Sequence, residues 1–90
     1  MAIVVKFTVN NMSADKYDEV IRRLAAAGAG APAGRLYHIA YGTQDAIQVI
    51  DVYDSPDALN SFGAALMPIL QELGIEAAPD IQMVHNIIQG

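Results

Sequence analysis

A chain of 90 residues has room for one small domain, 1–90, and buries so little surface that a disulfide, a metal or a partner subunit usually supplements its core. Cysteine is absent, which excludes disulfides, thiolate metal sites and thiol nucleophiles. Five basic against ten acidic residues, a net charge of −5, exclude the basic stripe that a nucleic-acid surface needs to neutralise phosphates.

Hydrophobic residues make up 53% of the chain, more than one small core hides, and surplus apolar surface marks an interface. Self-association is the expected remedy. The start, Met1 to Lys6, lacks the basic segment, apolar run and cleavage site of a signal peptide. No apolar run approaches the roughly 20 residues that span a bilayer. A cytoplasmic protein that neither enters a membrane nor binds nucleic acid is expected.

Ala2 to Val9 alternates as a strand, with Ile3, Val5, Phe7 and Val9 on one face and Val4, Lys6 and Thr8 on the other. Ser13 is a good helix N-cap and Asp15 suits the first turn. Tyr17, Val20, Ile21 and Leu24 then repeat at helical spacing up to a stop near Gly28. Gly28 to Gly34 reads as a loop; it follows a helix and lacks the Lys-Ser/Thr pair, so it is not a phosphate loop.

Arg35 to Tyr41 and Ala46 to Tyr53 form a hairpin around Gly42 to Asp45. A two- or four-residue loop sets Leu36 against Asp51 and His38 against Val49, whereas three or five residues set Tyr37 against Asp51. Ser55, Pro56 and Asp57 start a second helix with an apolar stripe of Leu59, Phe62, Leu66, Ile69, Leu70 and Leu73, ended by Gly74. Pro68 lies inside that pattern and predicts a kink or break near Ala64 to Met67. Ile75 to Pro79 reads as a connector and Asp80 to Gln89 as the last strand, with His85 beside Met83 and Ile87 on one face.

Strand, helix, strand, strand, helix, strand with right-handed crossovers is the α+β, ferredoxin-like βαββαβ fold: a four-stranded antiparallel sheet with two helices on one face. The uncovered face is expected to carry Val4, Lys6 and Thr8 with Ile47, Val49, Asp51 and Tyr53, because Ile50 and Val52 suit the helix side. A homodimer packed through that face would enclose a partly polar cavity for a hydrophobic small molecule.

The run from Val49 through Ala58, followed by Phe62, resembles the strand-to-helix segment of the dimeric α/β-barrel superfamily, in which an aromatic often stands where Tyr53 does. His38-Ile39-Ala40 and Val84-His85-Asn86 resemble a branch of it near the antibiotic-biosynthesis monooxygenases and polyketide cyclases. That resemblance implies a small enzyme acting on a hydrophobic carbonyl-bearing or aromatic molecule by proton transfer or oxygenation, with no cofactor and no metal. A non-catalytic binding or stress-associated dimer is the alternative, since the fold hosts many activities.

In the cyclases it resembles, a cavity histidine and tyrosine serve as base and orienting donor. Carried over, His38 or His85 would accept the proton, and Tyr53 or Tyr37 would polarise a carbonyl. Histidine is also the side chain that titrates near neutrality unaided; the plain alternative is a hydrogen-bonded strand residue. Asp51 is unusual in mid-strand and, if buried, needs a partner such as Lys6, Arg35 or a histidine. It would orient a catalytic histidine or bond across a dimer interface. Arg35 is placed to hold an anionic substrate group, with Lys6 and Val49 as further substrate-binding candidates. Heme degradation is disfavoured, because the heme branch places a histidine where Gly63 stands.

Overall fold

The computed structural model describes residues 1–90 and has the expected order: β1 (Ile3–Asn10), α1 (Ala14–Ala26), β2 (Arg35–Thr43), β3 (Ala46–Tyr53), α2 (Pro56–Glu72) and β4 (Glu76–Met83). The strands form one antiparallel sheet in the order β2-β3-β1-β4. Both helices begin where their caps direct: Ser13 accepts from the Lys16 N–H and Ser55 from the Ala58 N–H, relieving donors that a helix start leaves unpaired. No helix is long and apolar enough to cross a membrane.

Register decides which residues meet the helices. Ile3 pairs with Tyr53, Val5 with Asp51 and Phe7 with Val49, and directly paired residues share a sheet face. Val49, Asp51 and Tyr53 are therefore buried with Val5 under the helices, and partly buried Ile47 packs against the same core. This corrects the expectation that those four residues lie on the uncovered face. Ile50 and Val52 share that face with Val4, Lys6 and Thr8 instead. Hydrophobicity misassigned the strand because its one carboxylate is made tolerable inside by hydrogen bonds.

The hairpin turns on Gln44 and Asp45, with Thr43 paired to Ala46. His38 therefore faces Asp51, in neither of the registers weighed from the sequence. The strand runs on to Thr43 because Gly42, at φ 120°, takes a conformation closed to other residues; a Cβ there would meet the Ala46 carbonyl oxygen at 2.3 Å. Near Val9, where the pairing of β1 with β3 has ended, the Gln48 carboxamide accepts from the Val9 N–H at 2.8 Å and donates to its carbonyl at 2.9 Å.

Two further expectations fail. Helix α2 continues through Pro68 without a break. Ala64, whose carbonyl loses its donor there, is exposed and can be solvated, while Phe62 and Leu70 anchor the helix on either side. The last strand begins at Glu76, not Asp80, and ends at Met83. Pro79 is tolerated because β4 is an edge strand, paired to β1 alone.

Candidate functional site

Beneath α1 and α2 the sheet carries a chain of four polar side chains. His38 on β2 and Asp51 on β3 are cross-strand partners, and His38 Nδ1 lies 2.6 Å from Asp51 Oδ1. The Tyr53 hydroxyl, two residues along β3 on the same face, donates to Asp51 Oδ2 at 2.9 Å. From the first turn of α1 the Tyr17 hydroxyl reaches His38 Nε2 at 2.7 Å, with the two rings stacked 9° from parallel.

These contacts set the proton positions. Asp51 is 2% exposed and as a carboxylate only accepts, so His38 Nδ1 carries the hydrogen it donates. In that tautomer an unprotonated imidazole presents a lone pair at Nε2, to which the Tyr17 hydroxyl can donate. No buried side-chain polar atom lacks a partner. Burial, more than the nearby Asp51 carboxylate, raises the pKa of the wholly buried Tyr53 above the ordinary tyrosine range, against an opposing pull from Arg35. Tyr17 is raised for the same leading reason, again opposed by Arg35.

Tyr17, His38 and Asp51 border a cavity of about 50 Å³ walled mostly by apolar side chains such as Val49, Phe62 and Leu66. Arg35 borders it too. Its guanidinium lies 5.5 Å from the centre of the Phe62 ring and donates to the Gly30 carbonyl at 3.1 Å. Arg22 and Arg23 are ion-paired, but Arg35 is not, so its charge has no carboxylate partner beside a largely apolar cavity.

The sequence candidates thus divide. His38, Asp51, Tyr53, Arg35 and Val49 gather on the helix side. Lys6 lies on the opposite face, which removes it from this group. Tyr37, paired with Val52, is on that opposite face as well and bonds to Gln89. His85 lies beyond the end of β4 and is exposed, because the strand that was to carry it inward stops two residues earlier. This cavity sits between sheet and helices within one chain, whereas the sequence reading placed its candidate residues in a space between two paired sheets. Tyr17 was passed over because it completes the apolar stripe of α1; a hydroxyl on a buried stripe was the available signal. No three His, Asp or Glu side chains converge as a metal-binding group.

No family model and no curated protein sequence matches the chain. Solved structures do. SnoaB, a cofactor-independent oxygenase from Streptomyces nogalater, is 19% identical with a TM-score of 0.63, over 99% of this chain and 96% of that one. A protein from Chloroflexus aurantiacus classed with the antibiotic biosynthesis monooxygenases is 16% identical, TM-score 0.64, over 97% of both chains. A third, from Caulobacter crescentus and classed likewise, is 21% identical, TM-score 0.58, over 97% of this chain and 89% of that one. The likeness shows the shared ferredoxin-like fold, in agreement with the resemblance read from the sequence.

Proposed function

We propose that this chain is a small cofactor-free enzyme that removes a proton from a hydrophobic carbonyl-bearing or aromatic molecule in the cavity beside His38. The observation that carries the reading is the Tyr17–His38–Asp51 chain, with links of 2.7 and 2.6 Å opening on an apolar space. Both links are within the reach that proton transfer needs. As the substrate C–H or O–H gives its proton to the Tyr17 oxygen, the Tyr17 proton passes to His38 Nε2. Asp51 holds the imidazole in the accepting tautomer and stabilises the imidazolium that forms. Arg35 favours the substrate anion, and the low-dielectric walls strengthen that attraction.

That anion has two outcomes. Reprotonation by the same relay at another atom gives an isomer or closes a ring. Addition to dioxygen, followed by return of the proton from His38, converts RH and O₂ to ROOH. The neighbours classed as oxygenases support the second outcome. Full pairing of His38 on both nitrogens favours the non-catalytic alternative, in which the network only stabilises a binding protein.

Exchange of α-hydrogens for deuterium in neutral ring ketones, followed by proton NMR, separates the two. The enzyme reading expects exchange that His38→Gln abolishes and Tyr17→Phe slows by about 10²-fold or more, the usual scale of acid–base assistance. Exchange no faster than in buffer across the panel, or unchanged in His38→Gln, supports the binding reading.

The working form in this proposal is a homodimer in the cytoplasm, joined through the uncovered sheet face. Val4, Ile50 and Val52 are only half-buried there, and Ile39 beside them is 53% exposed, an apolar surface of the kind a second copy covers.

A further inference from the structure

The cavity beside His38, about 50 Å³, has room for a few waters at roughly 10–15 Å³ each, which is too little for a whole substrate. A groove of about 310 Å³ lies next to it, between α2 and the β1–β4 edge of the sheet, within the range of ligand pockets at about 300–1,000 Å³. Phe7, Phe62, Leu66, Leu70 and Ala77 wall both spaces, so the two lie against the same side chains. None of the groove's 11 lining residues is charged, in a chain of net charge −5. A cleft of about 370 Å³ on the other side of Phe62 shares only that ring with the cavity and carries Asp57.

Gly63 supplies a second, independent sign. It lies within α2, where glycine costs roughly 0.5–1 kcal/mol relative to alanine, and lines the groove. A Cβ at Gly63 would meet no atom within 4 Å. Neither a turn nor close packing therefore requires the side chain to be missing, and the space it leaves opens on the groove.

Resting on the acid–base reading above, we infer that the substrate is bipartite: an acidic phenol, enol or α-keto C–H head at Tyr17 and His38, and an uncharged apolar tail in the groove that Gly63 keeps open. Gly63 is then a specificity-determining residue, and a residue with a larger side chain shortens the tail that fits.

Neutral 4-alkylphenols from ethyl to hexyl test this by equilibrium binding. Wild-type affinity rises about fourfold per added methylene, the free energy of burying one CH₂. Gly63→Leu flattens the rise while leaving the ethyl compound bound, and Gly63→Ala keeps most of it and melts higher. Ile81→Glu, at an exposed position on the groove, weakens the hexyl compound more than the ethyl one. His38→Gln shifts all members by one common factor with the slope unchanged. A wild-type affinity independent of chain length overturns the inference, as does a slope that survives both Gly63→Leu and Ile81→Glu. A Gly63→Leu chain that changes oligomeric state also overturns it, because the groove would then be a subunit interface. A normal slope without His38-dependent hydrogen exchange removes the catalytic reading and leaves the groove; a lost slope with exchange intact does the reverse.

Discussion

Asp51 accepts from two donors at once, His38 on one oxygen and Tyr53 on the other, and its replacement by asparagine is informative because the shape is kept. One of the two positions becomes an N–H donor. Tyr53 can reverse its role only if the remaining oxygen still serves His38; otherwise His38 Nδ1 must accept, and its hydrogen moves to the nitrogen facing Tyr17. Asp51→Asn is expected to keep the fold and lower His38-dependent exchange by about 10²–10⁴-fold, the scale of a lost tautomer-fixing carboxylate. An unchanged rate would show that Asp51 serves packing alone. Asp51→Ala, in contrast, leaves the Tyr53 hydroxyl and His38 N–H unpaired, at about 1–3 kcal/mol for each, measurable by urea unfolding.

The buried Tyr53 gives the stability a signature in alkali. Below the ordinary tyrosine value of about 10, Tyr53 keeps its proton in both states and its contribution is complete. Above it the unfolded chain releases the proton while the folded chain, with Tyr53 raised chiefly by burial, retains it. The unfolded state then binds fewer protons, so stability falls as pH rises. Melting temperatures from pH 8 to 11 should decline less steeply in Tyr53→Phe than in wild type; parallel curves would contradict the assignment. At this scale the sequence was informative about identity and poor on placement. His38, Asp51 and Tyr53 stand out as chemistry-bearing residues in strands, but their joint position depends on a hairpin register that no local signal specifies.

Elements were legible where a cap or a turn residue acts locally. Ser13 and Ser55 start the helices as their hydroxyls dictate. Ends set by tertiary context were not. Pro79 looks like a strand breaker until β4 is known to be an edge, and Pro68 looks like a helix breaker until the packing around it is seen. In α2 the missing Pro68 N–H is a cost that surrounding contacts absorb. Pro68→Ala restores a donor to the Ala64 carbonyl and is expected to stabilise the fold by about 1–3 kcal/mol, less the chain stiffness that proline gives the unfolded state. Thermal unfolding measures it, and a lower melting temperature would mean that the ring itself packs usefully. Gln48 shows why strand ends resist sequence reading: a side chain, not the partner strand's backbone, satisfies both polar groups of Val9.

For the whole molecule, the order of elements and the excess of apolar residues were enough to give the fold and to suggest a second copy. They misplaced the polar pocket by one sheet thickness. Under the proposed function the two faces of the sheet have separate tasks: the helix side carries the relay, and the other side, with Val4, Ile39, Ile50 and Val52, is where a second copy would pack. Ile39→Glu should yield a folded monomer by light scattering while leaving phenol binding in place; a dimer that persists would place the interface elsewhere.

Whether small molecules act on the helix side, around His38, is decided by NMR titration of the labelled protein with 4-butylphenol. Shifts are expected at the His38 ring and at Tyr17, Phe62 and Gly63, with the amides of Lys6, Ile39 and Val52 unmoved. Shifts confined to Lys6, Ile39 and Val52 would contradict that placement, and would return the site to the space between paired sheets.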